Sequence, residues 1–128
     1  MRISNRSFIV TFFSSLLFIL ALPSWAESRE QMAWKLIEQG ALVIDVRTTE
    51  EYATSHLANA LHIPYQAIEK QFTLLEIRKD RPVVLYCRSG KRAGIAYKTL
   101  EDSGYTALHN GGGLEGLTEQ GGRCGLRR

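Results

Sequence analysis

The spacing of apolar and polar positions changes several times along the chain, and each change marks an element. Ser28 and Gln31 have capping-box spacing, and Met32, Ala33, Leu36 and Ile37 follow at helical intervals until Gly40, a residue suited to a left-handed helix end. Ala41–Val46 reads ALVIDV, a short β-branched apolar run expected of a strand buried on both faces. Thr48 and Glu51 repeat the capping-box spacing and open a brief helix over 50–54. Leu61–Ile63 predicts a short strand closed by Pro64. Ala67–Ile77 predicts an amphipathic helix carrying apolar residues at 68, 72 and 75. Pro82–Tyr86 is a second clear strand. A helix through Ala93–Asp102 then presents Ile95, Ala96 and Leu100 and stops at Gly104. Tyr105–His109 predicts another strand, Gly111–Gly113 a flexible turn, and Leu114–Glu119 a short helix. Strands alternating with helices predict an α/β domain with a mostly parallel central sheet flanked by helices on both faces.

The first 26 residues break this pattern. Arg2 and Arg6 precede Phe8–Leu22, a run of 15 uncharged residues, and Pro23-Ser24-Trp25-Ala26 offers small residues at both positions of a cut after Ala26. That order reads as a secretory signal peptide. A membrane anchor is the other reading, but a span needs about 20 apolar residues. The expectation is residues 1–26 as signal peptide, 27–122 as one domain and 123–128 as a loosely ordered tail, in a periplasmic protein with no stable membrane insertion after cleavage. Of 16 basic residues, the two arginines of the leader are lost, leaving 14 against 13 acidic, a net of +1. A near-neutral chain carries no general basic face for nucleic acid.

The chemistry gathers between the second clear strand and the helix after it. Leu85–Gly94 reads LYCRSGKRAG, placing Cys87 where a strand ends and a helix begins. Unpaired helix-start N–H groups and the positive end of the helix dipole favour thiolate over thiol. Arg88, Lys91 and Arg92 add three cations within five residues, while Ser89 and Gly90 let the backbone curl so that its N–H groups converge. The pattern predicts an anion cradle around a nucleophilic sulfur. Asp45 and Arg47, at the end of the first strand, read as an ion pair tying that loop down. His56, His62 and His109 have no ligand spacing and read as turn or surface residues, so neither metal nor cofactor is expected. Trp34 and Tyr97 are expected to pack in the core.

Four segments in order resemble the single-domain rhodaneses, particularly the small secreted thiosulfate sulfurtransferases of the phage shock protein E type. They are Val43-Ile44-Asp45-Val46-Arg47 with Glu50-Glu51-Tyr52, then Ser55–Pro64 (SHLANALHIP), then Cys87–Arg92 (CRSGKR), then Asn110–Leu117 (NGGGLEGL). The resemblance spans roughly Ala41 to Gly122. Departures are Ser55, Ala58 and Asn59, where the family usually has Gly, Pro and Gly, and Leu117 in place of tryptophan; none touches the loop. The resemblance implies a rhodanese-like domain in which Cys87 attacks the outer sulfur of thiosulfate, sulfite leaves, and a thiol or cyanide takes the sulfur from the Cys87 persulfide. It implies that Arg88, Ser89, Gly90, Lys91 and Arg92 bind the small anionic donor, thiosulfate or polysulfide, with Arg92 first among the side chains. A monomer suffices for this.

Two other readings stay open. A cysteine phosphatase uses Cys-x5-Arg, whereas Arg92 follows Cys87 after four residues. A binding or redox module would hold Cys87 in a disulfide with Cys124 and transfer no sulfur.

Overall fold

The computed structural model describes residues 26–121 and the backbone of 126–127. The expected leader and most of the expected tail, Cys124 included, lie outside these residues. The described elements are α1 (Arg29–Glu38), β1 (Leu42–Asp45), α2 (Thr49–Thr54), β2 (His56–Leu57), β3 (Leu61–His62), α3 (Ile68–Leu74), β4 (Val83–Cys87), α4 (Lys91–Asp102), β5 (Leu108–Gly113), α5 (Leu114–Gly121) and β6 (Leu126–Arg127). A 3₁₀ turn at Tyr65–Ala67 leads into α3. Four strands form a parallel sheet in the order β3-β1-β4-β5. β2 and β6 pair antiparallel, His56 with Arg127 and Leu57 with Leu126, so part of the expected tail is held against the fold.

Because side chains alternate across a strand, β1 and β4 feed two separate cores. Ile44, Val83, Leu85 and Cys87 face α3 and α4, packing with Ile68, Phe72, Ala93, Ala96 and Leu100. Val43, Val84 and Tyr86 face the other way and pack with Ala33 of α1 and Leu117 of α5. The four residues Val83–Tyr86 are almost wholly buried, which is why this segment reads as an unbroken apolar run. Trp34 and Tyr97 pack against the cores from their edges, and Trp34 Nε1 donates to the Leu117 carbonyl at 2.6 Å.

Both capping boxes form. Ser28 Oγ accepts from Gln31 N and Gln31 answers to Ser28 N, and Thr48 and Glu51 do the same at α2. Three expectations are corrected. α3 ends at Leu74 rather than Ile77, because Glu76 takes a left-handed φ of 52°, and Leu75 stays 53% exposed. Ile95 points outward from α4 at 46% exposure, and Ala93, two residues earlier, takes a core position with Ala96 and Leu100. The third correction is the largest: the last parallel strand runs over Leu108–Gly113, so the triple glycine is buried strand and not a flexible turn. A Cβ at Gly111 would press on Val84 and Ala33, and one at Gly113 would collide with the Arg88 carbonyl oxygen. Glycine is needed there for close approach, not for flexibility.

Between the cores' edges sits a buried polar hub. Asp45, fully buried, accepts from Arg47 N at 2.9 Å and from the Arg47 guanidinium at 2.7–3.1 Å. Tyr86 OH donates to Asp45 Oδ2 at 2.8 Å and accepts from Leu57 N at 3.0 Å. Arg47 Nη2 also reaches the Ser55 carbonyl at 2.6 Å. Burial opposes the charge on Arg47, and its hydrogen bonds to Asp45 outweigh that, so its pKa rises. Burial and the adjacent Asp45 carboxylate both push the Tyr86 phenol up, keeping it a donor. Among the described residues every buried side-chain nitrogen and oxygen has a partner.

Tyr86→Phe leaves the Leu57 N–H unpaired and takes one donor from Asp45, so it should cost about 1–3 kcal/mol. Arg47→Ala strands the buried Asp45 carboxylate and should cost about 3–5 kcal/mol. Urea unfolding of both variants measures this, and equal small losses would show that the hub is not what holds the β1 loop.

Candidate active site

In a parallel sheet the ligand crevice lies beyond the carboxyl ends of the strands, where the connections diverge. Here the chain leaves β1 toward β3 and leaves β4 toward β5, so the crevice opens between the ends of β1 and β4. Asp45 and Arg47 sit at the first end and Cys87 at the second.

Cys87 is the last residue of β4, with 0% exposure and no disulfide partner among the described residues. Gly90 N donates to its Sγ at 2.9 Å. Burial alone pushes the thiol up, but the backbone N–H groups of Ala93, Ser89, Gly90 and Arg92 outweigh it and hold the pKa below its ordinary value. The loop achieves this convergence through Gly90, whose φ of 92° lies in the left-handed region and which stands at the N-cap of α4. Asn110, on β5, pins the turn by donating to the Gly90 carbonyl at 2.9 Å and accepting from Gly112 N at 3.0 Å.

The expected site residues divide into three groups. Cys87 and Gly90 are buried at the floor. Arg88, Ser89 and Lys91 are exposed around the rim. Arg92 is half-buried and turns to Glu51 of α2, making two hydrogen bonds of 2.7 and 2.9 Å. Those bonds hold the Glu51 carboxyl down at about 2 despite its partial desolvation. A cleft of about 570 Å³ opens beside the loop, lined by Arg88 of the loop, Arg47 and Glu51 from the β1–α2 region, and Leu114 and Thr118 of α5. The Asp45–Arg47 pair, joined at 2.7 Å, is buried, and its arginine contributes to that lining. His56, His62 and His109 each bond a backbone carbonyl, of Tyr52, Arg47 and Arg29.

Sequence reading missed Glu51 and Asn110 as site residues. Glu51 stands 41 positions from Arg92 and already had a local role as a cap, which it still performs by accepting from Thr48 N. Asn110 was hidden beside a glycine run that reads as a turn.

A model of the rhodanese-like domain matches residues 30–120. Thiosulfate sulfurtransferase PspE of Escherichia coli is 34% identical over 74 residues, covering 58% of this chain and 71% of that protein. A sulfurtransferase of Allochromatium vinosum is 37% identical over 82 residues, covering 63% of this chain and 75% of its own. Among solved structures, a rhodanese with anions from E. coli superposes with a TM-score of 0.57 at 32% identity, over 60% of this chain and 91% of that one.

The Glu51–Arg92 pair makes a pH-dependent contribution. The folded-state pKa of Glu51, about 2, is below the ordinary carboxylate value of about 4.3. Its stabilisation is therefore complete above that ordinary value and disappears as pH falls through about 2. The pair is partly exposed, so Glu51→Gln should cost no more than about 1 kcal/mol near neutrality. The gap between wild type and variant should close toward pH 2 in urea titrations. A gap that stays constant down to that pH would mean the pair does not couple to protonation.

Proposed function

The chain belongs to the rhodanese-like family, and on that premise we propose that it transfers sulfane sulfur from thiosulfate to a thiol or to cyanide through Cys87. The observation that carries this reading is a buried sulfur at the start of α4 that accepts a 2.9 Å hydrogen bond from Gly90 N and whose pKa the loop's backbone N–H groups hold below its ordinary value. A thiolate held this way is a nucleophile that needs no separate base.

The Cys87 thiolate attacks the outer sulfur of thiosulfate. A Cys–S bond forms, the bond to the sulfonate sulfur breaks, and sulfite departs with the electron pair. The terminal sulfur of the resulting persulfide is an anion, and the amides of the loop serve it as they served the thiolate. An acceptor thiolate then attacks that terminal sulfur, leaving as its own persulfide and regenerating the Cys87 thiolate; cyanide leaves as thiocyanate. Arg88 and Lys91, exposed at the rim, draw in the dianionic donor. Arg92 holds a fixed positive charge at the wall and cancels Glu51, which would otherwise repel the donor. The loop and both walls come from one chain, which supports action as a monomer. The charge pattern and small-residue cut of the first 26 residues support export, with a mature chain that begins near Glu27 in the periplasm.

Mass spectrometry after incubation with thiosulfate should find one added sulfur on the Cys87 peptide, removed by excess thiol and absent in Cys87→Ser. Arg92→Ala removes a charge-assisted contact worth roughly 1.5–3 kcal/mol, so kcat/KM for thiosulfate should fall by about 10- to 150-fold. Adding Glu51→Gln to that variant should recover part of the loss, because the uncompensated carboxylate is then gone. No added sulfur on the wild-type peptide would overturn the proposed reaction.

A further inference from the structure

The residue that braces the reactive loop from behind lies outside the loop's motif. Arg29 is the first residue of α1, and its Nη2 donates to the Ser89 carbonyl at 3.1 Å across a separation of 60 residues. Its Nε rests on Glu30 Oε1 at 2.9 Å, and its carbonyl oxygen meets His109 Nε2 at 2.7 Å. The guanidinium lies between two glycines. A Cβ at Gly90 would come within 2.6 Å of Arg29 Nη1, and one at Gly112 within 2.7 Å of Arg29 Nε.

The Ser89 carbonyl and the Gly90 N–H belong to one peptide unit. In a trans peptide these two groups point in opposite directions. The N–H end is on Cys87 Sγ, so the carbonyl end must point away from the sulfur, and it points to Arg29. This unit is the one in the loop most free to turn over. Gly90 occupies a φ of 92°, and glycine populates positive and negative φ about equally well. Rotating the unit would carry φ of Gly90 across to the negative side, withdraw an N–H from the sulfur and aim a carbonyl oxygen at it. The left-handed turn that lets the amides converge thus makes one of them reversible, and a donor on the far side of the peptide is what opposes the reversal.

We propose that Arg29 is a positioning residue that locks the Ser89–Gly90 peptide with its N–H on Cys87, keeping the sulfur a thiolate. The claim deepens the sulfur-transfer reading and rests on it for its purpose, though not for its test. The other charged groups around the sulfur are Arg92 with Glu51, and Arg88 and Lys91 at the rim; the lock adds to their field without replacing it. The first-turn Glu30 carboxyl is held below its ordinary value chiefly by Arg29, so Glu30 stays charged and keeps the guanidinium in place.

The test follows the rate of Cys87 alkylation against pH in the full chain, by mass spectrometry of the Cys87 peptide. Arg29→Ala should raise the midpoint by about half to one pH unit, slowing alkylation below the midpoint by about 3- to 10-fold. Arg29→Lys, which keeps one donor, should recover a substantial part of that shift. Lys35→Ala, on the same helix and exposed, should leave the midpoint where it is. Loss of sulfur loading in Arg29→Ala should be equal for anionic and neutral donors, since the lock acts on the nucleophile and not on donor charge. A folded Arg29→Ala protein with the wild-type midpoint would overturn the proposal, as would a Lys35→Ala shift of the same size. A wild-type chain that takes no sulfur from thiosulfate would instead sink the proposed reaction while leaving the Arg29 shift intact.

Discussion

A buried sulfur can carry negative charge only if donors replace the water it has lost, and that requirement organises this fold. Cys87 has no exposed surface, so burial by itself favours the neutral thiol. The opposing donors are main-chain N–H groups of residues 89, 90, 92 and 93, and bringing them to one point imposes conditions on three elements. β4 must end at Cys87, α4 must begin within four residues, and Gly90 must sit in the left-handed region between them. The glycine run of β5 then lets that strand pass against the loop, where Gly113 pairs with Cys87 and could bear no side chain.

The second wall of the crevice is built on a different principle. The β1 connection carries a buried carboxylate and a buried guanidinium, each satisfied several times over. Asp45 takes donors from Arg47 and Tyr86, and Arg47 ties the end of α2 through the Ser55 carbonyl. A buried ion pair is weak evidence for stability as such, because desolvation offsets much of the attraction. Its contribution here is placement: it fixes α2, and α2 presents Glu51 to Arg92 across the crevice. The opposite wall thereby holds Arg92, the second residue of α4, still.

What was legible in the sequence was what depends on neighbours along the chain. Ser28 with Gln31 and Thr48 with Glu51 announce helix starts because their partners are three residues away. The strand–cysteine–helix order of the reactive loop was legible for the same reason. The triple glycine was misread because glycine serves turns and close backbone approach equally, and only the neighbouring strand decides between them. Leu75 and Ile95 were assigned inward by periodicity, yet α3 ends early and α4 turns its alanines to the sheet. Glu51 with Arg92 and Arg29 with Ser89 stand 41 and 60 positions apart, and no local pattern announces such pairs. The disulfide reading, with Cys124 as its second member, lies outside the described residues.

The thiolate at Cys87 is the claim on which the rest turns, and its ultraviolet absorbance reports it directly. Titrating wild-type protein against pH and subtracting the same titration of Cys87→Ser isolates this sulfur from Cys124. The account predicts a midpoint well below the roughly 8.5 of an unperturbed cysteine. A midpoint at or above that value would show that burial wins over the loop amides, and it would contradict the account.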